Sequence, residues 1–248
     1  MTCTLSLATL VVGGAIGVSP PIVSNFDASA DGWLVRDLNC NNYAQVIGGG
    51  AITWFASGGN PGGYIRSTDP SGNCYTYEAP SAFVGDRTEY IDGRLAWSIR
   101  TNVADWLPGS VVILIGAGQV LVADVPQPTT NAWLRYGVML SATNFRIGSA
   151  SGAQATQAQL ASTMANITAI RISAEFGSEA GEETVDLDSV TLQGPCIADL
   201  DGDGFVGATD LGILLGAWGE PGSIADFDGN NVVDAADLGI LLGAWGPC

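Results

Sequence analysis

The chain has 248 residues, of which 47% are hydrophobic and 34 are glycine, which suits one or two domains of short strands and many turns. Twenty-five carboxylates against eight arginines, with no lysine, give a formal net charge of −17, which excludes a nucleic acid as partner. The absence of histidine excludes Ser-His-Asp and Cys-His nucleophiles and histidine-ligated zinc, and leaves carboxylate-only chemistry such as glycoside hydrolysis.

An apolar run occupies residues 1–17 and ends in Ala-Ile-Gly, a sequence that fits a small-residue cleavage site. This pattern predicts a signal peptide, and therefore a secreted or cell-surface protein, with a buried first strand as the alternative. The run is too short and too rich in glycine for a membrane span, and no other segment predicts one.

Four cysteines remain once Cys3 leaves with the signal peptide. An even number in an exported chain favours disulfides, and four cysteines allow three connectivities. Pairing within each domain favours Cys40–Cys74 and Cys196–Cys248, and four reduced core thiols are the alternative.

Residues 25–193 carry the pattern of a β protein. Short runs that alternate in polarity or are continuously apolar are separated by Gly, Pro, Asn and Asp. The clearest runs are residues 51–55, 94–100, 111–115, 119–124 and 133–140. Residues 156–165 instead space Leu160 and Met164 as in a helix. Many strands with one minor helix predict a β-sandwich of the jelly-roll type.

Several segments of this region follow the pattern of an extracellular family. They are residues 25–33 (NFDASADGW), 62–66 (GGYIR), 78–86 (EAPSAFVGD), 90–97, 112–118 (VILIGAG) and 187–192 (LDSVTL). The region 25–193 therefore resembles the laminin B (domain IV) family, above all in its AP-x-x-F-x-GD core. The resemblance implies a galactose-binding-like jelly roll with a non-catalytic role in matrix, adhesion or glycan contact.

The same region offers two kinds of candidate binding residue. Asp27 near the first strand and Asp186 or Asp188 near the last are expected to share a structural calcium site, with capping and turn hydrogen bonds as the alternative. Exposed aromatics could stack on sugars, although most are expected to pack in the core or in loops. These aromatics are Trp54, Tyr64, Tyr75, Tyr77 and Trp106. Phe83 is expected to be a core anchor beside a tight turn.

The composition changes at residues 193–196, and the chain then repeats itself. Residues 199–219 and 226–246 align without gaps at an offset of 27 residues, and the sequence DLGILLGAWG recurs identically in both copies. Such a repeat defines a two-unit module, which we place at residues 196–248.

The first unit carries oxygen ligands at the spacing of an EF-hand calcium loop. Its predicted ligands, at loop positions 1, 3, 5, 7 and 12, are Asp199, Asp201, Asp203, the backbone carbonyl of Phe205, and Asp210. Gly204 stands at position 6, where the loop turns sharply, and Gly207 at position 9 leaves that place to water. A tight loop of this kind points alternate oxygens at a hard dication.

The second unit repeats the spacing with different residues. Its predicted ligands, at positions 1, 3, 5, 7, 9 and 12, are Asp226, Asp228, Asn230, the backbone carbonyl of Val232, Asp234 (directly or through water), and Asp237. Asn231 replaces the expected glycine, and asparagine tolerates left-handed backbone. The carboxylates of both loops repel one another without an ion, so calcium is expected to fold the module. Two Asp-Gly surface turns are the alternative.

Each loop runs into an apolar helix. Leu211, Leu214, Leu215 and Trp218 are spaced as one stripe, and the second copy repeats them as Leu238, Leu241, Leu242 and Trp245. The paired glycines of each copy are expected to let the two helices approach closely. They are Gly212, Gly216, Gly239 and Gly243.

The repeat over residues 197–246 resembles the type I dockerin family. The predicted fold is thus mainly β, a jelly-roll β-sandwich followed by a small α-helical, paired EF-hand-like domain. The resemblance implies two Ca²⁺ ions and a cohesin-type partner chosen in part by loop positions 10 and 11, here residues 208–209 and 235–236. The helices lack the basic and polar residues usual in that family, which leaves a cell-surface or matrix component as an alternative partner.

The leading functional hypothesis is a secreted, non-enzymatic protein whose β-sandwich binds a glycan or another surface ligand and whose calcium-dependent tail anchors it. The first alternative is a component of polysaccharide degradation, such as a glycoside hydrolase with two acids across a cleft. Its candidate acids, none in a hydrolase motif, are Glu78, Glu89, Asp92, Glu175 and Glu182. The second alternative is a structural matrix or adhesion protein whose tail only self-associates.

Overall fold

The computed structural model describes residues 20–69, 71–104, 110–177, 183–201, 203–220, 223–228, 230 and 232–248. The strands, in chain order, are β1 (Ile22–Ser24), β2 (Leu34–Asn39), β3 (Asn42–Gly48), β4 (Thr53–Phe55), β5 (Tyr64–Thr68), β6 (Cys74–Glu78), β7 (Arg94–Thr101), β8 (Ser110–Gly116), β9 (Gln119–Val125), β10 (Leu134–Met139), β11 (Arg146–Ile147), β12 (Ile167–Ser173), β13 (Thr184–Gln193), β14 (Phe205–Val206) and β15 (Gly246–Pro247). The helices are α1 (Gln157–Met164), α2 (Ala208–Gly216) and α3 (Ala235–Gly243). The predicted signal peptide at 1–17 lies outside the described residues. None of the described helices is long and apolar enough to cross a membrane.

Two antiparallel sheets form the β-sandwich. The first has the order β10-β7-β13-β5-β4, with β1 also paired to β13, and the second has the order β11-β9-β8-β12-β6-β2-β3. Strand β13 lies at the centre of the first sheet and pairs with β7, β5 and β1. The first and last strands of the sandwich are therefore neighbours.

Alternation along the strands sorts side chains between the core and the outer faces. In β7, Leu95, Trp97 and Ile99 lie in the main core, while Arg100 remains partly exposed. Successive side chains of a strand point to opposite faces, so a strand covered on one side alternates in polarity. The outer face of the first sheet therefore includes the partly exposed Arg94 and Arg100.

The continuous apolar run of β8 has a different explanation. Val112 and Leu114 lie in the main core, whereas Ile113 packs with Leu38 and Val122 in a second cluster. Both faces of this part of the second sheet are therefore covered by apolar side chains, which favours a continuous run over an alternating one.

The predicted elements of the sandwich are confirmed. Strands occupy all five predicted runs, with ends that coincide or differ by at most two residues. The predicted helix is α1, whose N-cap Thr156 accepts a hydrogen bond from the N–H of Gln159, while Leu160 and Met164 are buried. Phe83 is a core anchor as expected, with its ring centroid 5.6 Å from that of Trp33.

The C-terminal module is a small loop-helix repeat with a core of its own. Its fully buried apolar residues are Ala198, Val206, Leu214, Ala225, Val233 and Leu241. Strand β14, which forms part of the first acidic loop, pairs with β15 at the end of the chain. The disulfide Cys196–Cys248 joins the two ends of the module, and Cys40–Cys74 lies within the sandwich, so the favoured pairing is the observed one.

Candidate functional site

The first acidic loop gathers three of its predicted ligands into one cluster. Asp199, Asp201 and Asp203 each offer a carboxylate oxygen, and these oxygens lie within 4.8 Å of one another. The turn that gathers them requires Gly204, whose φ of +88° lies in the left-handed region. The N–H of Gly204 donates to Asp199 Oδ2 at 2.8 Å. Asp201 and Asp203 are exposed, so a cation can reach the cluster from solvent.

The second loop makes an equivalent cluster from a different set. Asp226, Asp228 and Asp237 place carboxylate oxygens within 4.8 Å of one another. The N–H of Asn230 donates to Asp228 Oδ1 at 3.0 Å, and Asn230 Oδ1 accepts from the N–H of Val232 at 2.8 Å. Asn231, the substitute for the position-6 glycine, lies outside the described residues.

Asp210, at position 12 of the first loop, ties the loop together from its buried side. Its Oδ1 accepts from the N–H groups of Leu200 at 2.7 Å and Asp201 at 3.1 Å, and its Oδ2 accepts from Gly207 at 2.7 Å. Burial alone would raise the pKa of Asp210, but these N–H donors outweigh it and hold that pKa below its ordinary value. The carboxylate is therefore charged in its buried position, as a calcium ligand must be.

Asp237 holds the second loop in the same way. Its Oδ1 accepts from Phe227 at 2.7 Å and Asp228 at 3.2 Å, and its Oδ2 accepts from Asp234 at 2.8 Å. These bonds, that of the Asp234 N–H above all, lower the pKa of Asp237. The Asp234 carboxylate accepts from the N–H of Ala236 at 2.8 Å and so caps α3. Its direct binding of an ion stays a prediction, as do the carbonyl ligands.

The donor set of both loops fits calcium. Every predicted ligand atom is an oxygen, and hard carboxylate and carbonyl oxygens suit Ca²⁺, which accepts six to eight of them in flexible geometry. Three carboxylates of like charge held within 4.8 Å of one another repel, and a bound dication would remove that repulsion.

Each helix of the module buries one leucine, packs a second one partly against the core and exposes the last two residues of the predicted stripe. The partly buried leucines are Leu211 and Leu238. Leu214 and Leu241 are fully buried in the module core. The half-exposed residues are Leu215, Trp218, Leu242 and Trp245. The predicted single stripe is therefore divided into a buried leucine and an exposed Leu-Trp pair in each copy, because a module this small has room for few core residues.

The predicted role of the helix glycines is wrong. A Cβ added at Gly212, Gly216, Gly239 or Gly243 would meet no atom within 4 Å. These glycines therefore lie on open surface and do not mediate a close approach of the helices.

The outer face of the first sheet carries a layer of aromatic rings and arginines, here called the arginine–aromatic face. The rings of Phe55 and Tyr64 stack 4.7 Å apart, and the ring of Trp133 meets that of Tyr64 edge-on at 5.7 Å. Arg66 lies over the Phe55 ring at 5.3 Å, and Arg100 lies over the Trp133 ring at 4.5 Å. These rings and guanidinium groups form one continuous layer, in which Phe55 and Trp133 are partly exposed.

Asp186 holds the two arginines of this face in place. It lies on β13, directly opposite Arg66 of β5 on one side and Arg100 of β7 on the other. Its Oδ2 accepts from Arg66 Nη2 at 3.0 Å and from Arg100 Nε at 2.8 Å. Two guanidinium groups thus share one buried carboxylate, which leaves N–H donors for a ligand.

The predicted aromatic candidates lie in different places. Tyr75 and Tyr77 are fully buried in the core, whereas Tyr64 belongs to the arginine–aromatic face and Trp54 is partly exposed on another side of β4. Trp106 lies outside the described residues. Phe55 and Trp133 were missed, although Phe55 follows Trp54 on its strand and alternation alone puts one of the two on the outer face.

Of the two aspartates predicted to pair with Asp27, only Asp188 is a candidate, because the carboxylate of Asp186 binds Arg66 and Arg100. Asp188 is fully buried, and burial, with a smaller contribution from the charge of Asp27, raises its pKa. A Cβ on Gly62 would collide with Asp27 Oδ1 and one on Gly59 with Asp188 Oδ2, so a glycine loop closes over both carboxylates. Calcium binding by this pair stays a prediction.

The acids considered for hydrolysis are spread over the sandwich. Glu78 pairs with Arg36 at 2.9 Å and with Arg171 at 2.8 Å, and Glu175 is buried. Glu89 and Asp92 are exposed, and Glu182 lies outside the described residues.

A sequence family matches the sandwich from β6 to β13. The family model of Laminin B (Domain IV) matches residues 76–195. The β-sandwich is similar to laminin B. Of the segments that predicted this similarity, residues 78–86, 90–97, 112–118 and 187–192 lie inside the match, and residues 25–33 and 62–66 precede it.

Solved structures provide a second comparison, at the level of the fold. The L4b domain of human laminin alpha-2 matches with a TM-score of 0.54 and 12% identity, over 70% of this chain and 97% of that domain, and so shares the fold. The family 11 carbohydrate-binding module of the cellulase Lic26A-Cel5E of Clostridium thermocellum matches with a TM-score of 0.45 and 12% identity, over 73% and 96%. The CBM22-1 xylan-binding domain of Paenibacillus barcinonensis Xyn10C matches with a TM-score of 0.41 and 13% identity, over 71% and 94%. No curated protein sequence matches the chain.

Proposed function

We propose that this chain is a secreted, non-enzymatic protein whose laminin B-like sandwich binds a glycan and whose C-terminal module folds around two calcium ions to anchor it. The observation that carries the proposal is the pair of aspartate clusters, each with three carboxylate oxygens within 4.8 Å, in two copies of one loop-helix repeat. The two disulfides support an oxidising, extracellular location.

Calcium should order the module because the ion replaces repulsion among carboxylates with shared coordination. Removing metal from the full chain with EDTA and then titrating calcium is expected to raise helicity by circular dichroism as α2 and α3 form. Magnesium at the same concentration is expected to do less, since it demands rigid octahedral geometry. A helical signal that does not respond to calcium would contradict this part of the proposal.

Glycan binding is supported by the arginine–aromatic face. Aromatic platforms beside fixed polar groups are suited to sugars, whose rings have an apolar face and a rim of hydroxyls. Trp133 contributes the platform, and its Nε1 donates to the carbonyl of Gly58 at 3.2 Å, which fixes the ring. Arg66 and Arg100 contribute hydrogen-bond donors whose side chains are 36% and 27% exposed.

Substitution of Trp133, a partly exposed residue of the arginine–aromatic face, tests the role of this face in glycan binding. Trp133→Ala is expected to reduce binding to polysaccharides by at least tenfold in affinity electrophoresis, because it removes the stacking ring and a support of Arg100. Trp54→Ala is the matched control, since Trp54 is also a partly exposed indole whose Nε1 donates to a backbone carbonyl, that of Phe26. Equal losses in both variants, or binding unchanged by Trp133→Ala, would count against the face.

The enzymatic alternative has its own test. Incubation of the protein with the polysaccharides that it binds is expected to release no reducing sugar. Hydrolysis that one carboxylate substitution abolishes, for example Glu78→Gln, would overturn the non-enzymatic proposal.

The anchoring partner is proposed to be a cohesin-type domain. The exposed Leu215-Trp218 and Leu242-Trp245 pairs offer two apolar contact surfaces, and apolar surface exposed in a folded module is typical of docking sites. Surface plasmon resonance with cohesin-type domains from the same genome is expected to show calcium-dependent binding that weakens in Leu215→Ser/Leu242→Ser. Binding of the chain only to itself would favour the self-associating alternative.

A further inference from the structure

One end of the sandwich core holds four buried carboxylates, here called the acid cluster. Asp37 lies in β2 of the second sheet, and Asp69 and Glu183 flank the paired strands β5 and β13 of the first. Glu175 follows β12. The exposed fractions are 7% for Asp37, 3% for Asp69, 8% for Glu175 and 1% for Glu183. Four acids in this position are costly, because a buried charge needs a partner.

Ion pairs with arginine are found elsewhere in the described chain. Arg36 and Arg171 pair with Glu78, and Arg66 and Arg100 pair with Asp186. Within the cluster, Glu183 accepts hydrogen bonds from the N–H groups of Phe176 at 3.0 Å and Gly177 at 2.8 Å, and the acids also repel one another. Burial above all, followed by the charges of Asp69 and Glu183, raises the pKa of Glu175 to about 8. Burial also raises the pKa of Glu183 to about 7.

The decisive observation is a set of oxygens with no hydrogen-bond partner. Among the described residues, Asp37 Oδ1, Asp69 Oδ2 and Glu175 Oε2 are buried and accept no hydrogen bond. The second oxygen of two of these groups is anchored, since Ser71 Oγ donates to Asp37 Oδ2 at 2.7 Å and the N–H of Ser71 donates to Asp69 Oδ1 at 2.9 Å. Buried polar atoms are nearly always satisfied, so these carboxylate oxygens require a partner, which is a proton, a water molecule or a cation.

We propose that the acid cluster is a buried calcium site of the β-sandwich, distinct from the two C-terminal loops and from the Asp27–Asp188 pair. A divalent cation bound among these groups, directly or through water, gives the unpartnered oxygens a positive partner and offsets their charge. The side chains nearest the ion supply oxygen only, which selects hard cations over zinc or copper.

Calcium fits better than magnesium. In the described residues, no three carboxylates of the cluster bring oxygens within 4.8 Å of one another, in contrast to the two loops. Water molecules or a small inward movement would therefore complete the coordination, which suits the larger ion with its variable number of ligands. An ion here would join β2 of one sheet to the ends of β5 and β13 of the other, so its role is to clamp the two sheets.

A count of bound metal tests the site. The full chain is stripped of metal with EDTA and dialysed against calcium, and its bound calcium is measured by atomic emission. Three proteins are compared: the wild type, the double variant Asp69→Asn/Glu175→Gln and the control Asp124→Asn. The control removes an exposed carboxylate of β9. The double variant is expected to bind one calcium fewer than the wild type, and the control the same number. Equal counts in the double variant and the wild type would overturn the proposal.

Thermal unfolding of the sandwich supplies a second measure that does not depend on counting. Without calcium and at a pH above about 8, where Glu175 is charged, the double variant is expected to unfold at a higher temperature than the wild type, because it lacks buried negative charge. With calcium, the wild type is expected to gain stability and the double variant to gain less. A sandwich transition that calcium leaves unchanged in the wild type would show that protons alone occupy the cluster and would overturn the proposal.

Two further variants distinguish calcium binding by the acid cluster from calcium binding by the C-terminal loops. Asp37→Asn is a single, conservative change that is expected to weaken calcium binding without emptying the core. Asp201→Asn/Asp228→Asn removes ligands of the C-terminal loops and is expected to leave the acid cluster loaded. Failure of the loops to bind calcium would thus contradict the proposed function alone, and failure of the acid cluster would contradict this inference alone.

Discussion

At the residue scale, one phenol connects the two sheets across the core. Tyr77 lies in β6 of the second sheet and is fully buried, and its hydroxyl donates to the carbonyl of Val185 in β13 of the first sheet at 2.6 Å. Burial raises the pKa of Tyr77 well above its ordinary value. The folded chain therefore keeps this proton at a pH where the unfolded chain has lost it, and the stability that follows is present below about pH 10 and declines above it.

Tyr77→Phe is expected to change stability in two separable ways. At pH 7 it should cost about 1–2 kcal/mol, since the Val185 carbonyl is left buried without its donor. Above pH 10 the fall of stability with pH should be shallower by up to about 1.4 kcal/mol per pH unit, the effect of one proton. Urea unfolding from pH 7 to pH 11 measures both. A variant that loses stability above pH 10 as steeply as the wild type would contradict the assignment.

At the scale of the element, apolar spacing predicted both C-terminal helices but not which leucine each would bury. Leu214 and Leu215 are adjacent on α2, and only the packing of the whole module decides that the first is buried. The spacing of the acidic loops predicted their carboxylate clusters more closely, because the carboxylates of a calcium loop lie within twelve residues of one another in the sequence. Local sequence could not show that Asp210 and Asp237 also tie down three backbone N–H groups each.

The surface glycines of α2 and α3 give a prediction about these elements. A Cβ at Gly212 or Gly239 meets open space, and alanine stabilises a helix interior by about 1 kcal/mol relative to glycine. Gly212→Ala/Gly239→Ala is therefore expected to raise the midpoint of thermal unfolding of the calcium-loaded module. A loss of stability would show that the helices do approach through these positions.

At the scale of the whole molecule, the sequence predicted features that depend on local contacts and did not predict those that depend on contacts between distant segments. Alternation and turn residues placed the strands, and the laminin B-like pattern indicated their architecture. The acid cluster joins Asp37 to Glu183, and the arginine–aromatic face joins Phe55 to Trp133, across long stretches of chain. The residues of each group are far apart in the sequence and show no regular spacing. Both groups could therefore be recognised only once the pairing order of the strands was known.

The disulfides test whether the two domains are stabilised separately. The Cys196–Cys248 bridge spans 52 residues of sequence, and a loop of this length stabilises by about 4 kcal/mol in the chain-entropy model. Cys196→Ser/Cys248→Ser is expected to make the C-terminal module sensitive to limited proteolysis at low calcium while the sandwich stays resistant. Cys40→Ser/Cys74→Ser is the matched variant and should weaken the sandwich instead. Destabilisation of both domains by either variant would contradict separate stabilisation.

Calcium binding by the duplicated aspartate loops is the central claim, and isothermal titration of calcium into the EDTA-treated full chain tests it most directly. Comparison of the wild type with Asp201→Asn/Asp228→Asn and with the control Glu220→Gln, an exposed carboxylate outside both loops, isolates the two sites. The account predicts that the double variant loses two equivalents of tight calcium binding and that the control loses none. A double variant that binds as many calcium ions as the wild type, with the same affinity, would contradict it.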